Sequence, residues 1–426
     1  MVDDFPPLKL RIALWLYSLL WWVMLPVILL YLWHRGRKDP LYAQHMNERF
    51  GRYDRPLNGA VWVHAVSLGE MRSATPLIRA LLDKGEKVVT THFTPAGRRE
   101  AEREFATEMA NGSVRTIWVP FEYGFAYRRF FRAFAPKYGL VMEIEIWPRM
   151  ITAARKVDVP LFMCNAQYPE KSYEKDKGGV RAALIAGFAG GFVKSDIQRA
   201  RFADAGLRDI HVTGELRFDQ PIPQAQIDAA VALREGLSRG RPTYTLTSVV
   251  EGEDAIYIDM IRKNPDAFFV YVPRAPERFD EVARLLQDAD LTVARRSALL
   301  NDHLLLEQGP PDINVLLGDS MGEMYFYLAL CDRAIVGGGF RESGAHNVIE
   351  PLALKKPVIV GPHIWTIEYP ATEAIAAGVC TQVQDAAALS RVVAQPPTVT
   401  DAQITAFYKV HAGAVQQTLE VIEKLT

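Results

Sequence analysis

Cysteine is scarce: Cys164, Cys331 and Cys380 are the only three in 426 residues, and no two are spaced as a pair. That excludes a disulfide framework, argues against a thiolate zinc site, and suits a reducing compartment with buried structural thiols. An excess of either charge is also lacking. Lys and Arg number 49 against 50 Asp and Glu, for a formal net charge of −1. No global field therefore draws nucleic acid, and an anionic substrate has to be held by local groups. The dinucleotide fingerprint G-x-G-x-x-G and the phosphate loop G-x-x-x-x-G-K-[ST] are both missing, so a dehydrogenase is a poor reading. There is no internal repeat and no low-complexity tract.

What is present is globular: 49% hydrophobic and 23% charged residues over a length that implies two domains. One segment departs from that average. Ile12 to Trp33 carries no charge over 22 positions, enough for a helix to cross a bilayer. Its tryptophans, Trp15, Trp21, Trp22 and Trp33, favour headgroup level. Arg35, Arg37, Lys38, Arg49, Arg52 and Arg55 follow it, against Lys9 and Arg11 before it. This bias predicts a membrane anchor over residues 1–35, as a span or a deep insertion, with the rest in the cytoplasm.

Beyond the anchor, β-rich runs alternate with helical patterns. Strands are expected at Val61–Ala65, Lys87–Thr91, Val114–Val119, Gly139–Met142, Val159–Cys164 and His211–Thr213. After the Pro-containing stretch Asp219–Gln224 they resume at Thr243–Thr247, Phe268–Val272, Leu291–Ala294, Ile313–Leu317, Ala334–Val336 and Pro357–Val360. A last helix is expected from about Ala402 to Leu425. Such alternation means βαβ units on parallel sheets, here two Rossmann-like domains, 36–220 and 221–426, facing a cleft. The last helix is free to pack back on the first domain. Ligands in such folds sit beyond the carboxyl ends of the strands.

Those strand ends carry the candidate chemistry. The run Val61 to Glu70 delivers Ser67, Gly69 and Glu70 to a strand-to-helix turn, where the glycine allows close approach of a ligand. A carboxylate there serves as general base if its pKa is raised, or merely complements the helix dipole. A second strand end holds Glu143 and Glu145, placed on one face by strand alternation, before Trp147 and Pro148. Past a third lies Arg274, whose guanidinium suits a phosphate, while Arg278 reads as a solvated helix residue. The densest signal runs from Val336 through Gly337, Gly338 and Gly339 to His346, Asn347 and Glu350. It reads as a strand, a glycine-rich loop and a helix starting near His346, an anion site. Glu350 could accept hydrogen bonds from a ribose. The block Gly318, Asp319, Ser320, Met321, Gly322, Glu323 adds contacts or is an ordinary helix cap.

Taken in order, these blocks resemble the 3-deoxy-D-manno-octulosonic acid (Kdo) transferase family. The pieces are Glu48-Arg-Phe-Gly51, His64-Ala-Val-Ser-Leu-Gly-Glu70, Met142-Glu-Ile-Glu-Ile-Trp-Pro148 and Val212-Thr-Gly-Glu-Leu-Arg-Phe-Asp219. Then come Val272-Pro-Arg-Ala-Pro-Glu-Arg-Phe279, the Gly318–Glu323 block, His346-Asn-Val-Ile-Glu-Pro351 and Gly361-Pro-His363. The resemblance implies a GT-B fold at the inner membrane, with transfer of Kdo from CMP-Kdo to a lipid A precursor or to Kdo already attached. It implies inversion, no metal and no cofactor beyond the substrate itself. Glu70 matches the family's catalytic base and Glu145 its other functional acid. Arg274, the Gly318–Glu323 block and the His346–Glu350 stretch match the CMP side, while Ser67, Gly69, Asn165, Ser248 and Glu251 fall on the acceptor or sugar side.

Some positions depart from the family pattern. Gln167 and Lys171 stand where arginines are usual, and Val249 and Val250 replace two polar residues. An Arg-to-Gln change removes a charge and a two-point fork. These departures leave a different acceptor, or a non-catalytic envelope-assembly protein, as competing readings.

Overall fold

The computed structural model describes residues 5–306 and 309–425. They form two compact units, one reaching to Gln220 and including the chain from Ala412 onward, the other spanning Pro221–His411. The first unit holds strands β1 (Val61–His64), β2 (Val88–His92), β3 (Val114–Trp118), β4 (Gly139–Met142), β5 (Leu161–Ala166), β6 (Gly190–Val193) and β7 (Ile210–Val212). The second holds β8 (Thr243–Val249), β9 (Phe268–Pro273), β10 (Val293–Arg295), β11 (Val315–Leu317), β12 (Arg333–Val336), β13 (Val358–Val360) and β14 (Cys380–Gln382).

All pairings within the two sheets are parallel, in the orders β3-β2-β1-β4-β5-β6-β7 and β10-β11-β9-β8-β12-β13-β14. Helices cover both faces, so most strands are buried on both sides and read as apolar runs without alternation. In the first unit one face packs Trp62, Phe130 and Met150, the other Val61, Leu77 and Phe105.

Two strands lacked a sequence signal. β6 begins Gly190-Gly191, because a methyl at 190 would meet the Asp209 carbonyl oxygen at 2.7 Å and one at 191 the Leu207 side chain at 2.8 Å. β14 has only three residues. The expected last helix is two, Asp401–His411 and Ala414–Leu425, broken at Gly413 with φ +92°. The second of these packs on the first unit through Leu419 and Ile422. Its start is tied there by Asp219, whose carboxylate accepts the Gly413 and Val415 amides at 2.6 and 2.7 Å.

The apolar segment is one helix, α1 (Leu8–Gly36), long and apolar enough by length and composition to cross a membrane. It lies along the first unit. Leu10, Leu14, Ser18, Trp21, Leu25, Ile28 and Leu32 recur every three or four residues and are buried or half-buried. Leu10 and Leu14 join the main core, and Trp21, Leu25, Ile28 and Leu32 meet Phe121 and Tyr123. Arg149 bonds Ser18 and the Leu14 carbonyl, and the Tyr123 hydroxyl donates to the Trp21 carbonyl at 2.8 Å.

Candidate active site

The first sheet reverses its order between β1 and β4, the point where a doubly wound sheet opens a crevice at its carboxyl edge. Val66–Glu70 follows β1 there, and Glu143–Trp147 follows β4. Ser67 caps helix α2 (Leu68–Asp83), accepting the Glu70 amide at 3.3 Å and donating its hydroxyl to Glu70 Oε1 at 2.8 Å. Glu70 Oε2 accepts the Val66 amide at 2.8 Å. This is a capping box in function, so the dipole-complementing role is real. It is not the whole account. Burial first, then repulsion from Glu145, pushes the Glu70 carboxyl up to about 8, against the opposing pull of the Val66 amide and Ser67. A residue that served only as a cap would stay ionised and low. Gly69 is exposed in the first helical turn, and a methyl there meets nothing within 4 Å. The turn itself does not require it.

Strand β4 ends at Met142, so alternation does not place Glu143 and Glu145 on one face. Glu143 takes φ +55° and turns inward to Lys194 at 2.9 Å and to the Asn165 amide at 3.0 Å. Glu145 accepts the Trp147 indole N–H at 2.6 Å, and burial holds its carboxyl above the usual range. Asn165 is enclosed as well. Its amide also reaches Glu215 at 2.9 Å, and its carbonyl oxygen accepts the Leu216 amide. Lys194 completes the set with Glu215 at 2.8 Å and Gln167 at 3.4 Å. Asn165 and Gln167 therefore brace the floor of the site rather than its open face. His64, nearby in β1, is held neutral by burial at about 3 and is too weak a base to compete with Glu70.

The second sheet reverses between β8 and β12. The glycine-rich loop beyond β12 differs from the expectation in three ways. Its glycines serve close backbone contact within the protein: methyls at 337, 338 and 339 would meet backbone of Ser248, Gly344 and Gly361 at 2.6, 2.4 and 2.6 Å. Two of its amides are already engaged, because buried Glu253 accepts from Gly338 at 2.7 Å and Phe340 at 3.0 Å, while Val250 in the loop after β8 donates to the same carboxylate at 3.2 Å. The helix that follows starts at Ile349, not near His346, and has only five residues; just before it, the Asn347 side chain accepts the Ile349 amide at 2.9 Å. Such a helix carries little dipole. Glu253 had no sequence signal beyond its place after Gly252.

The cationic part of the expectation fares differently. Arg274 follows β9 exposed, its amide on the Val249 carbonyl at 2.8 Å. It lies close enough to His346 to help depress that imidazole to about 4, burial being the larger cause. The Nε2 of His346 has no partner among the described residues. Glu350 sits half-buried one turn on, near Tyr325. Ser248 lies at a bulge in β8 with φ +53°, and Glu251 is exposed beyond it.

Arg278 is not solvated: it is buried against Asp254 at 2.7 Å, which also accepts the Tyr271 hydroxyl. In the 318–323 block, Gly318 makes room for Tyr327 and Val272, Asp319 ties Arg295 and Ser297, and Ser320 bonds Glu323 and Tyr327. Glu323 also takes Arg296 at 2.6 Å. Only Met321 and Gly322, at the tip, face open space.

The family described as 3-deoxy-D-manno-octulosonic-acid transferase (kdotransferase) matches residues 44–220. The 3-deoxy-D-manno-octulosonic acid transferase of Bordetella pertussis is 40% identical over 93% of this chain and 96% of its own. The chain belongs to the Kdo transferase family. The Haemophilus influenzae Kdo transferase is 31% identical over 83% of each chain. A glycosyltransferase structure from Rickettsia africae covers 88% of this chain and 97% of its own at TM-score 0.52, with 12% identity, a likeness of fold. As a Kdo transferase with two parallel sheets, the protein is a GT-B glycosyltransferase of lipopolysaccharide core synthesis.

Proposed function

We propose that this Kdo transferase moves Kdo from CMP-Kdo to a lipid A precursor, or to Kdo already on it, with inversion, at the cytoplasmic face of the inner membrane. The observation that carries the proposal is Glu70, held at the β1/β4 switch point with its carboxyl pushed up to about 8. At neutral pH such a group can take a proton and release it again. Glu70 removes the acceptor hydroxyl's proton, and the oxygen attacks the anomeric carbon from the face opposite the phosphate. The bond from that carbon to the phosphate oxygen breaks, and CMP leaves with the electron pair. Glu145 keeps Glu70 basic by repulsion, which fits its family role as the second acid.

The donor falls to the second unit. Arg274 is an exposed cation at its carboxyl edge, and neutral His346 beside it offers a nitrogen without a partner among the described residues. Charge that develops on the departing phosphate is stabilised by Arg274. Glu350 accepts from ribose hydroxyls, Met321 and Gly322 at the open tip contact the cytosine, and Ser248 and Glu251 contact the sugar. Neither metal nor cofactor is assigned a part. Incubating the purified protein with CMP-Kdo and a lipid A precursor tests the reading: it requires CMP release, a product heavier by Kdo and an inverted anomeric centre. Retention of configuration would remove the mechanism.

A further inference from the structure

The side of α1 turned away from the first unit is the largest feature the chemistry leaves unused. Leu8, Trp15, Val23, Leu30 and Trp33 are each more than half exposed on it. The opposite side is held by the first unit from Leu10 to Leu32, over roughly 33 Å of helix axis. A helix crossing the roughly 30 Å hydrocarbon layer cannot carry folded polar protein along that whole length. A helix lying in the headgroup and acyl boundary can, with one side on protein and the other in lipid.

Charge on the same surface complements a membrane. Arg35, Arg37 and Lys38 are exposed at the end of α1. Beside the helix a cavity of about 480 Å³ is lined by Asn47, Phe50, Arg52, Phe125 and Arg129. Phe125 lies 6.2 Å from Trp22, at the border of the outward face, and the Arg129 guanidinium sits over the Phe125 ring at 5.2 Å. Two arginines framed by aromatic rings suit a phosphate attached to an acyl chain.

We infer that α1 is a one-sided, in-plane membrane seat, not a span, and that the Arg52–Arg129 cavity receives the phosphate of an anionic lipid headgroup there. The inference rests on the membrane placement proposed above, but not on the transfer chemistry.

Lys9→Cys and Arg37→Cys variants of the full chain, treated with a membrane-impermeant maleimide, test the orientation. Both sites are expected to label in inverted membrane vesicles and neither in intact spheroplasts. Labelling of Lys9→Cys from spheroplasts, or its protection from both sides, overturns the in-plane seat while leaving membrane association intact. Recovery of the chain in the soluble fraction ends both. For the cavity, the purified full chain is co-sedimented with phosphatidylglycerol-containing and pure phosphatidylcholine vesicles. Arg52→Glu with Arg129→Glu is expected to weaken binding to the anionic vesicles by at least about fivefold per arginine. Arg128→Glu with Arg132→Glu, exposed on the same helix but outside the cavity, is expected to cost less. Equal losses, or release of the wild-type protein by millimolar inorganic phosphate, would reduce the cavity to diffuse charge or a free-phosphate site and overturn it.

Discussion

The carboxylate of Glu253 accepts the backbone N–H of Gly338 at 2.7 Å, joining the loop after β8 to the glycine-rich loop after β12. Two more amides, of Phe340 and Val250, end on the same group. A buried carboxylate thus occupies two amides of the glycine-rich loop, those of Gly338 and Phe340, and keeps them from a phosphate. It fixes the loop from which His346 projects.

Removing that carboxylate should therefore cost stability before it touches chemistry. Glu253→Ala leaves three amides without acceptors, the buried one of Gly338 and the part-buried ones of Phe340 and Val250, at about 1–3 kcal/mol each where water cannot replace the carboxylate. The expected loss is roughly 3 kcal/mol or more, read from the urea midpoint of the full chain. Glu253→Gln should cost less, because one oxygen remains. Equal midpoints for wild type and Glu253→Ala would mean that water satisfies the loop.

Glu70 makes the pH profile specific. With its carboxyl at about 8, kcat/KM should rise about tenfold per pH unit below that value and level off above it. Glu70→Gln should lose roughly 10²–10⁴ in rate. Glu145→Gln removes the second cause of the shift, so the rising limb should move to lower pH. The same shift predicts a stability effect of defined sign. The folded protein holds this proton more tightly than the unfolded chain, so stability falls as pH rises from the ordinary carboxylate range toward 8. Glu70→Gln should consequently unfold at higher temperature than wild type at pH 8, with the difference fading near pH 4.

Much of this was legible in the sequence because strand ends are local. The apolar runs at Val61, Phe268 and Val336 gave both the parallel sheets and the places where Glu70, Arg274 and His346 emerge. What was hidden was long-range pairing. Arg278 reads as a surface helix residue until Asp254, 24 positions earlier, is brought beneath it. Glu143 looks like the strand partner of Glu145 until Asn165 of β5 and Lys194, just past β6, turn it inward. Gly190-Gly191 shows no strand signal because packing against Asp209 and Leu207 demands the smallest residue. Where the family resemblance leads one to expect an arginine, Gln167 lies beside Lys194, and a guanidinium there would crowd the Lys194 ammonium.

His346 offers a direct readout of donor binding. Its imidazole is depressed to about 4 by burial and by Arg274. A phosphate bound beside Arg274 supplies the opposite charge and should raise that value. NMR titration of the imidazole with and without CMP measures the change. Arg274→Ala should raise the free value slightly and weaken CMP binding by about 10–100-fold, as loss of a charge-assisted phosphate contact implies. An imidazole that titrates identically with saturating CMP would place the phosphate elsewhere.

Asp219 is the last residue of the Val212–Asp219 block, and its work is at a distance in sequence. Its two oxygens accept the Gly413 and Val415 amides, at the start of the helix that packs Leu419 and Ile422 onto the first unit. Those are amides a helix start cannot satisfy internally, and a carboxylate also suits the positive end of the dipole. Asp219→Ala should cost about 1–2 kcal/mol. Because Asp219 holds only the start of this helix, the loss should show first as local opening, with faster amide exchange in Ala414–Leu425 before global unfolding. Asp219→Asn keeps one acceptor and should recover about half. If exchange in that helix were unchanged in Asp219→Ala, packing by Leu419 and Ile422 alone would be holding it.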